Sequence, residues 1–537
     1  MLDYPGLSTE ISPTPGFRST ASASMRTLTD RQADGAKPAM ETLFPAMSLT
    51  PGLVNDLRRM NPWWEGNPMR PLPDTRRHLV GVIQRRLTAG LAPVVVVRGP
   101  RQIGKTTAQE HVLSDLLDNG VSGKRILQVQ FDDLPEITRL SEPLLRIVDW
   151  FEASVLQTTL NKAAHRGEPA YLFFDELQNL KDWAPQLKSL VDSSKAHIIV
   201  TGSSALRMEM GRDSLAGRIT TIEAGVLSLT EIAHFHGHDL GPPFLEDNGL
   251  AALGDKAFWR ELAQHGTKKR QERDTAFKWL SERGAYPLAH EKHDVPWAQL
   301  ADQLNETVIR RVIQHDLRLG ERGRKRDPAL LEEVFRLACR YCGQAPSPSL
   351  LAREAQRAMG ANVGPQRIQH YLRFLGETLL LRLVQPLEIR LKKRRGHPKI
   401  CLADHGLRAS WLQEMIPIDP GDLEREPHLS TMAGHIAESM VGATLATISG
   451  LDTAYLPERG GEPEIDFVLT IGTKRVPLEV KYQRRIDPLR DTEGLRTFIE
   501  KTVNNALFGL LVTQHDDVAI DDPRIVTMPL SSLMLLR

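Results

Sequence analysis

Cysteine is nearly absent from this chain, with 3 residues among 537. That is too few for a disulfide framework, which excludes the stapled scaffolds of oxidising compartments and fits a reducing one. Cys339 and Cys342 form a C-x-x-C, but no second pair completes a zinc site, and Leu331 to Cys342 reads as helix. Net charge is lacking as well: 68 Lys and Arg stand against 67 Asp and Glu, leaving +1. No global field then draws the chain onto nucleic acid or a lipid surface, and any such binding comes from local patches. No apolar run approaches the roughly 20 residues of a membrane span, and the first residues carry no charged-then-apolar signal pattern. A soluble, cytoplasmic protein without a membrane partner is the expectation. Residues 1–45 are rich in Ser, Thr, Pro and Gly without periodicity, the composition of a disordered tail.

What is present is a phosphate loop. Gly99-Pro100-Arg101-Gln102-Ile103-Gly104-Lys105-Thr106-Thr107 follows the apolar run Val94 to Val97 and matches G-x-x-x-x-G-K-[ST]. A buried strand here delivers a loop whose backbone N–H groups curl around phosphates, and the next helix points its positive end at them. Gly99 and Gly104 shape that loop, Lys105 reaches the β- and γ-phosphates, Thr106 ligates Mg²⁺, and Thr107 continues the cradle. ATP and Mg²⁺ are the implied cofactors.

Ala170-Tyr171-Leu172-Phe173-Phe174-Asp175-Glu176 is an apolar strand ending in two carboxylates. Asp175 is the expected magnesium-side residue, and Glu176 the general base that polarises a water in line with the γ-phosphate. A further strand, His197 to Val200, ends in Thr201-Gly202-Ser203-Ser204. Additional-strand ATPases keep a γ-phosphate sensor there, and Thr201 and Ser203 are the candidates. With Arg125 to Phe131 and Arg218 to Ile222, five strands alternate with helical stretches. The pattern predicts an α/β fold, a P-loop NTPase three-layer sandwich over residues 46–230.

Residues 231–327 read as a polar, helical lid or linker. Over 328–405, Pro328, Ser347 and Gly364-Pro365 open three helices, and two strand-like runs follow, joined by a basic tip. That order predicts a winged helix-turn-helix, whose third helix enters a DNA groove while the tip meets phosphate. Arg367, Arg373, Lys392, Lys393, Arg394 and Arg395 are the candidate DNA contacts. Basic residues at a hairpin tip also keep sheets soluble, so a purely protein-binding winged helix stands beside this reading.

Residues 406–537 carry a second constellation. Glu464 to Leu469 and Val476 to Tyr482 alternate as strands separated by a turn at Gly472, and they place Asp466 near Glu479 and Lys481. Paired carboxylates bind Mg²⁺, and a lysine on the same strand face as the second positions or deprotonates the attacking water, as phosphodiester hydrolysis requires. Gly434 to Glu438 opens a helix that adds Glu438 as a further metal ligand. The plainer alternative is a structural copy of such a fold without chemistry.

Taken together, the motifs resemble those of bacterial and archaeal AAA-type ATPases that carry a C-terminal domain of unknown function similar to the PD-(D/E)xK nuclease fold. The motifs are Asn61-Pro62-Trp63-Trp64, Gly99 to Thr106, Phe131-Asp132-Asp133, Phe174-Asp175-Glu176, Thr201 to Ser204, Ser214 to Arg218, Gly284-Ala285-Tyr286-Pro287 and the two terminal strands. The resemblance implies that Arg218 stabilises charge on the departing phosphoryl group, from its own subunit or a neighbouring one, which brings in a homo-oligomer. The leading expectation is an ATP-driven, DNA-associated machine with a metal-dependent nuclease-like domain. The alternative is a nucleotide-switch ATPase whose C-terminal domain binds partners or DNA without cutting.

Overall fold

The computed structural model describes residues 49–132, 134, 136–137, 140–202, 213–247, 249–316, 327–388, 396–458 and 463–537. The expected tail over 1–45, Ser203, Asp133 and the hairpin tip Lys392, Lys393, Arg394 and Arg395 lie outside the described residues.

Val94, Val95, Val96 and Val97 are β-branched and buried, the composition of a strand covered on both faces. They form β1 (Val94–Arg98), followed by β2 (Ile126–Gln130), β3 (Tyr171–Asp175), β4 (His197–Gly202) and β5 (Ile219–Glu223). Every pairing among the five is parallel, in the order β2-β3-β4-β1-β5. Alternation sends Val94 and Val96 to one face with Leu127, Leu172 and Ile198, and Val95 and Val97 to the other with Ile199 and Ile222. This is the expected P-loop NTPase α/β sheet, with β4 inserted between the loop-bearing strand and the strand ending in Asp175. The carboxyl ends of β1, β3 and β4 open onto one edge, where parallel α/β sheets bind ligands.

Asn61, Trp63 and Trp64 cover the outer strand of that sheet. The Asn61 amide donates to Gln128 O at 2.8 Å and accepts from Gln128 N at 2.7 Å, while both indole N–H groups donate to Ile126 O at 3.3 and 2.8 Å. An edge of β2 that would otherwise invite pairing is closed by side chains.

A second sheet comprises β6 (Leu381–Pro386), β7 (Lys399–Leu402), β8 (Asp452–Leu456), β9 (Ile465–Ile471), β10 (Lys474–Lys481), β11 (Gly509–Thr513) and β12 (Ile525–Pro529). Its order is β12-β11-β10-β9-β8-β6-β7. The three helices expected before β6 form at Pro328–Arg340, Pro348–Met359 and Pro365–Glu377, and β6 and β7 pair as an antiparallel hairpin. The hairpin does not stand apart, however. Gln385 and Pro386 pair in parallel with Ala454 and Tyr455 of β8, so one sheet runs through the expected boundary at 405 and 406. Parallel pairing between segments so distant in sequence leaves no local signal.

The stretch expected as a linker is likewise built in. Arg273 on helix Arg270–Arg283 is buried and clamps Asp516 with two hydrogen bonds of 2.9 and 2.7 Å, adding Ser532 Oγ at 2.6 Å. At the end of β5, Glu223 meets Arg98 of β1 at 2.8 Å and Arg382 of β6 at 2.5 Å, joining the two sheets through one carboxylate.

Candidate functional site

Beyond β1 the loop passes through left-handed conformations at Gln102 (φ 61°) and Gly104 (φ 84°) before helix Lys105–Asp118 begins. A Cβ on Gly99 would stand 2.5 Å from Ala224 O, so only glycine lets the loop cross the end of β5 this closely. The first bond into the helix runs from Ala108 N to Gly104 O at 2.9 Å, so the N–H groups of Lys105, Thr106 and Thr107 precede the helix's own bonding. Lys105 Nζ folds back over the loop and donates to Gly99 O at 3.1 Å and Pro100 O at 2.7 Å. Burial lowers its pKa to about 8 against the opposing pull of Glu176 and Asp175.

Thr106 Oγ1 donates to Asp175 Oδ2 at 2.8 Å, and Thr201 Oγ1 donates to Asp175 Oδ1. The predicted strand ends therefore do meet. Burial, then the neighbouring Glu176, raise Asp175 to about 6, while the hydrogen bonds from Thr201 and Thr106 hold it down. Glu176 follows in a left-handed turn (φ 51°) and accepts from the Gln178 amide. A hydroxyl and a carboxylate 2.8 Å apart are hard oxygen donors, and the buried Lys105 ammonium on the same loop adds a positive charge. This donor set fits a magnesium-bound nucleoside triphosphate.

Three supporting residues carried no sequence signal. Gln109 is buried with its Oε1 3.0 Å from Thr201 Oγ1, and Gln178 orients Glu176. Arg77 ties the loop to the segment after β5, donating to Ile103 O at 2.5 Å, Gly225 O at 3.1 Å and Val226 O at 2.9 Å while pairing with Glu231 at 3.0 Å. Glu231 also closes a capping box with Ser228 at the start of helix Leu229–Phe235.

Arg218 is not brought to this site. Its carbonyl accepts from Val94 N at 3.2 Å, at the amino edge of the sheet, and its guanidinium pairs with Asp192 at 2.5 and 3.0 Å. The length of β1, about 16 Å at 3.3 Å per residue, separates it from its own phosphate loop. The placement at its own subunit's phosphate loop is not the one observed.

The C-terminal carboxylates assemble as expected but around an unexpected partner. Asp466 on β9 accepts from Val480 N at 2.9 Å, and on β10 Lys481 Nζ donates to Glu479 Oε2 at 2.9 Å. Glu438 comes from helix Ser430–Ala446. Between Glu438 and Asp466 lies Lys399 Nζ, donating to Glu438 Oε1, to Asp466 Oδ1 at 3.2 Å and to Asp466 O at 3.4 Å. Burial and the Asp466 charge raise Glu479 to about 8. Burial also works to raise Asp466, but Lys399 and Lys481 outweigh it and hold that carboxyl low. Among the described residues no group of three or more His, Cys, Asp or Glu is arranged to hold a metal ion. The expected metal set of Glu438, Asp466 and Glu479 does not fit a divalent cation, because two of its members are bound to an internal ammonium.

On the third helix of the predicted winged helix, Arg367 and Arg373 are exposed. Arg367 pairs with Asp327 at 3.1 Å. The cysteines of the C-x-x-C are buried free thiols. No helix among the described residues is long and apolar enough to cross a membrane.

Residues 92–233 match the family model described as an AAA domain, in agreement with the strand order and loop geometry. Residues 275–415 and 433–533 match two models described as domains of unknown function, DUF8612 and DUF4143. An uncharacterized protein of Mycobacterium tuberculosis and one of Mycobacterium bovis are each 25% identical over 397 residues, spanning 73% of this chain and 70% of theirs. Among solved structures, a Walker-type ATPase of Pyrococcus abyssi overlaps with a TM-score of 0.34 at 14% identity, covering 64% of this chain and 99% of its own. A DNA replication initiation factor overlaps with a TM-score of 0.21 at 12% identity, covering 58% and 91%.

Proposed function

We propose that this chain is a Mg²⁺-dependent ATPase that works as a nucleotide switch, with a C-terminal region that binds DNA without cutting it. The observation that carries the first half is the contact between Thr106 and Asp175 beside Lys105, at the start of the helix that follows the phosphate loop. Bound Mg²⁺–ATP supplies the transferable phosphoryl group and the cation that neutralises its charge. On binding, the Lys105 ammonium exchanges the carbonyls of Gly99 and Pro100 for phosphate oxygens. Thr106 and Asp175 hold the cation, and Glu176, steered by Gln178, takes the proton of the attacking water. The bond from Thr201 to Asp175 supports reading Thr201 as the sensor of the γ-phosphate.

Arg98 directly precedes Gly99, and its partner Glu223 also holds Arg382 of β6. A movement of the loop therefore bears on the second sheet through two ion pairs. The exposed Arg367 and Arg373 on helix Pro365–Glu377 supply cations for DNA phosphate, and they support the DNA-binding part of the reading. What speaks against cleavage is Lys399, seated between two of the three carboxylates that a metal-dependent nuclease would need. Equilibrium binding of a fluorescent ATP analogue with Mg²⁺ tests the switch: the parent chain binds, and Lys105→Ala does not. Equal binding by the two would overturn the assignment.

A further inference from the structure

We propose that Lys399 is the resident cation of the C-terminal region, holding the place between Glu438 and Asp466 that a divalent ion would require, so that this region works without metal. The inference deepens the non-cutting reading above and rests on it, but not on ATP hydrolysis. Lys399 lies on β7, a strand outside the pair that carries Asp466 and Glu479, yet its side chain is 1% exposed and ends among their carboxylates. An ammonium has three N–H donors and no acceptor. Here its oxygen partners are Glu438, Asp466 and, at 3.5 Å, Glu464.

The walls suit a monovalent organic cation. The rings of Tyr455 and Phe467 each stand 5.2 Å from Nζ, within cation–π range. Tyr455 is itself fixed, its hydroxyl donating to His397 O at 2.6 Å. Aromatic faces offer nothing to a small divalent ion, which demands oxygen ligands and retained waters. The remaining Asp466 oxygen is taken as well, by Val480 N at 2.9 Å. The third carboxylate of the expected metal set is paired internally too, Glu479 Oε2 accepting from Lys481 Nζ at 2.9 Å. The effect of Lys399 is to fasten helix Ser430–Ala446, β7 and β9 to one another through a single side chain.

The test is a calorimetric Mn²⁺ titration of the full chain without nucleotide, in a Lys105→Ala, Thr106→Ala background that silences the phosphate loop. The chain with Lys399 intact is expected to show no binding up to millimolar Mn²⁺. Lys399→Met and the donor-retaining Lys399→Gln each vacate charge from the cluster and should gain one site, lost again on adding Asp466→Asn. Binding by the Lys399 chain that disappears with Asp466→Asn overturns the inference without any Lys399 variant having to fold. Folded Lys399 variants that bind no Mn²⁺ overturn it too. Mn²⁺-dependent cutting of linear or branched DNA by the parent would instead bring down the non-cutting reading, whereas Asp466-dependent binding without cutting removes only the role given to Lys399.

Discussion

Thr106 donates a 2.8 Å hydrogen bond to Asp175 across 69 positions of sequence, joining the start of the phosphate-loop helix to the end of β3. The contact exists because β4 lies between β1 and β3 and all three strands run parallel, so their carboxyl ends share one edge. Two motifs that look independent along the chain become one donor set.

The protonation of Lys105 sets a pH dependence. Burial lowers the ligand-free pKa to about 8, and phosphate oxygens on binding favour the charged form and raise it. Between those values binding takes up a proton, so affinity for Mg²⁺–ATP should fall as pH rises above about 8, by up to tenfold per pH unit. Stability of the ligand-free chain changes in the opposite sense there, because an unfolded Lys near 10.4 holds more protons than the folded one. Kd measured from pH 7 to 9.5 checks this, and a flat profile would refute it.

Arg77→Ala should destabilise the ATPase region strongly. The change strands Glu231, which is buried, and frees the carbonyls of Ile103, Gly225 and Val226. Breaking a buried ion pair from one side costs about 3–5 kcal/mol. Urea unfolding of Arg77→Ala, Glu231→Gln and the double variant measures it, and the double variant should lose clearly less than the sum of the two singles.

Arg218 sits at the far edge from its own Lys105, so any role in catalysis runs between subunits. Turnover per chain is then expected to rise with protein concentration, and mixing Arg218→Ala with Lys105→Ala protein should recover activity that neither has alone. Concentration-independent turnover with fully active Arg218→Ala would reduce Arg218 to the partner of Asp192.

DNA binding through helix Pro365–Glu377 predicts a salt signature. Replacing Arg367 and Arg373 by Ala should weaken duplex binding and flatten the slope of log K against log salt by about 0.9 for each phosphate left without its cation. An unchanged slope in fluorescence anisotropy titrations would move the DNA interface elsewhere.

The nucleotide site was legible in the sequence because its signals are local: a run of valines, glycines at fixed offsets, and a hydrophobic strand closing on two acids. Its supports were not. Arg77 lies next to Arg76, and nothing in the sequence says which of two adjacent arginines turns inward to Glu231 and which reaches Asp115 at the surface. The C-terminal carboxylates were found by strand alternation, whereas Lys399 was missed for a topological reason. Lys399 stands on β7, two strands away from β8 in the sheet order, and reaches the cluster only because β6 joins β8 in parallel. The same long-range pairing carries one sheet across the expected boundary at 405 and 406.

The most direct measurement of the proposed activity is single-turnover phosphate release by the parent and by Glu176→Gln with saturating Mg²⁺–ATP. Losing the group that activates water while keeping the cradle should leave ATP bound and slow release by about 10²–10⁴-fold. Release by Glu176→Gln at the parental rate, or parental release that persists when Mg²⁺ is chelated, would contradict it.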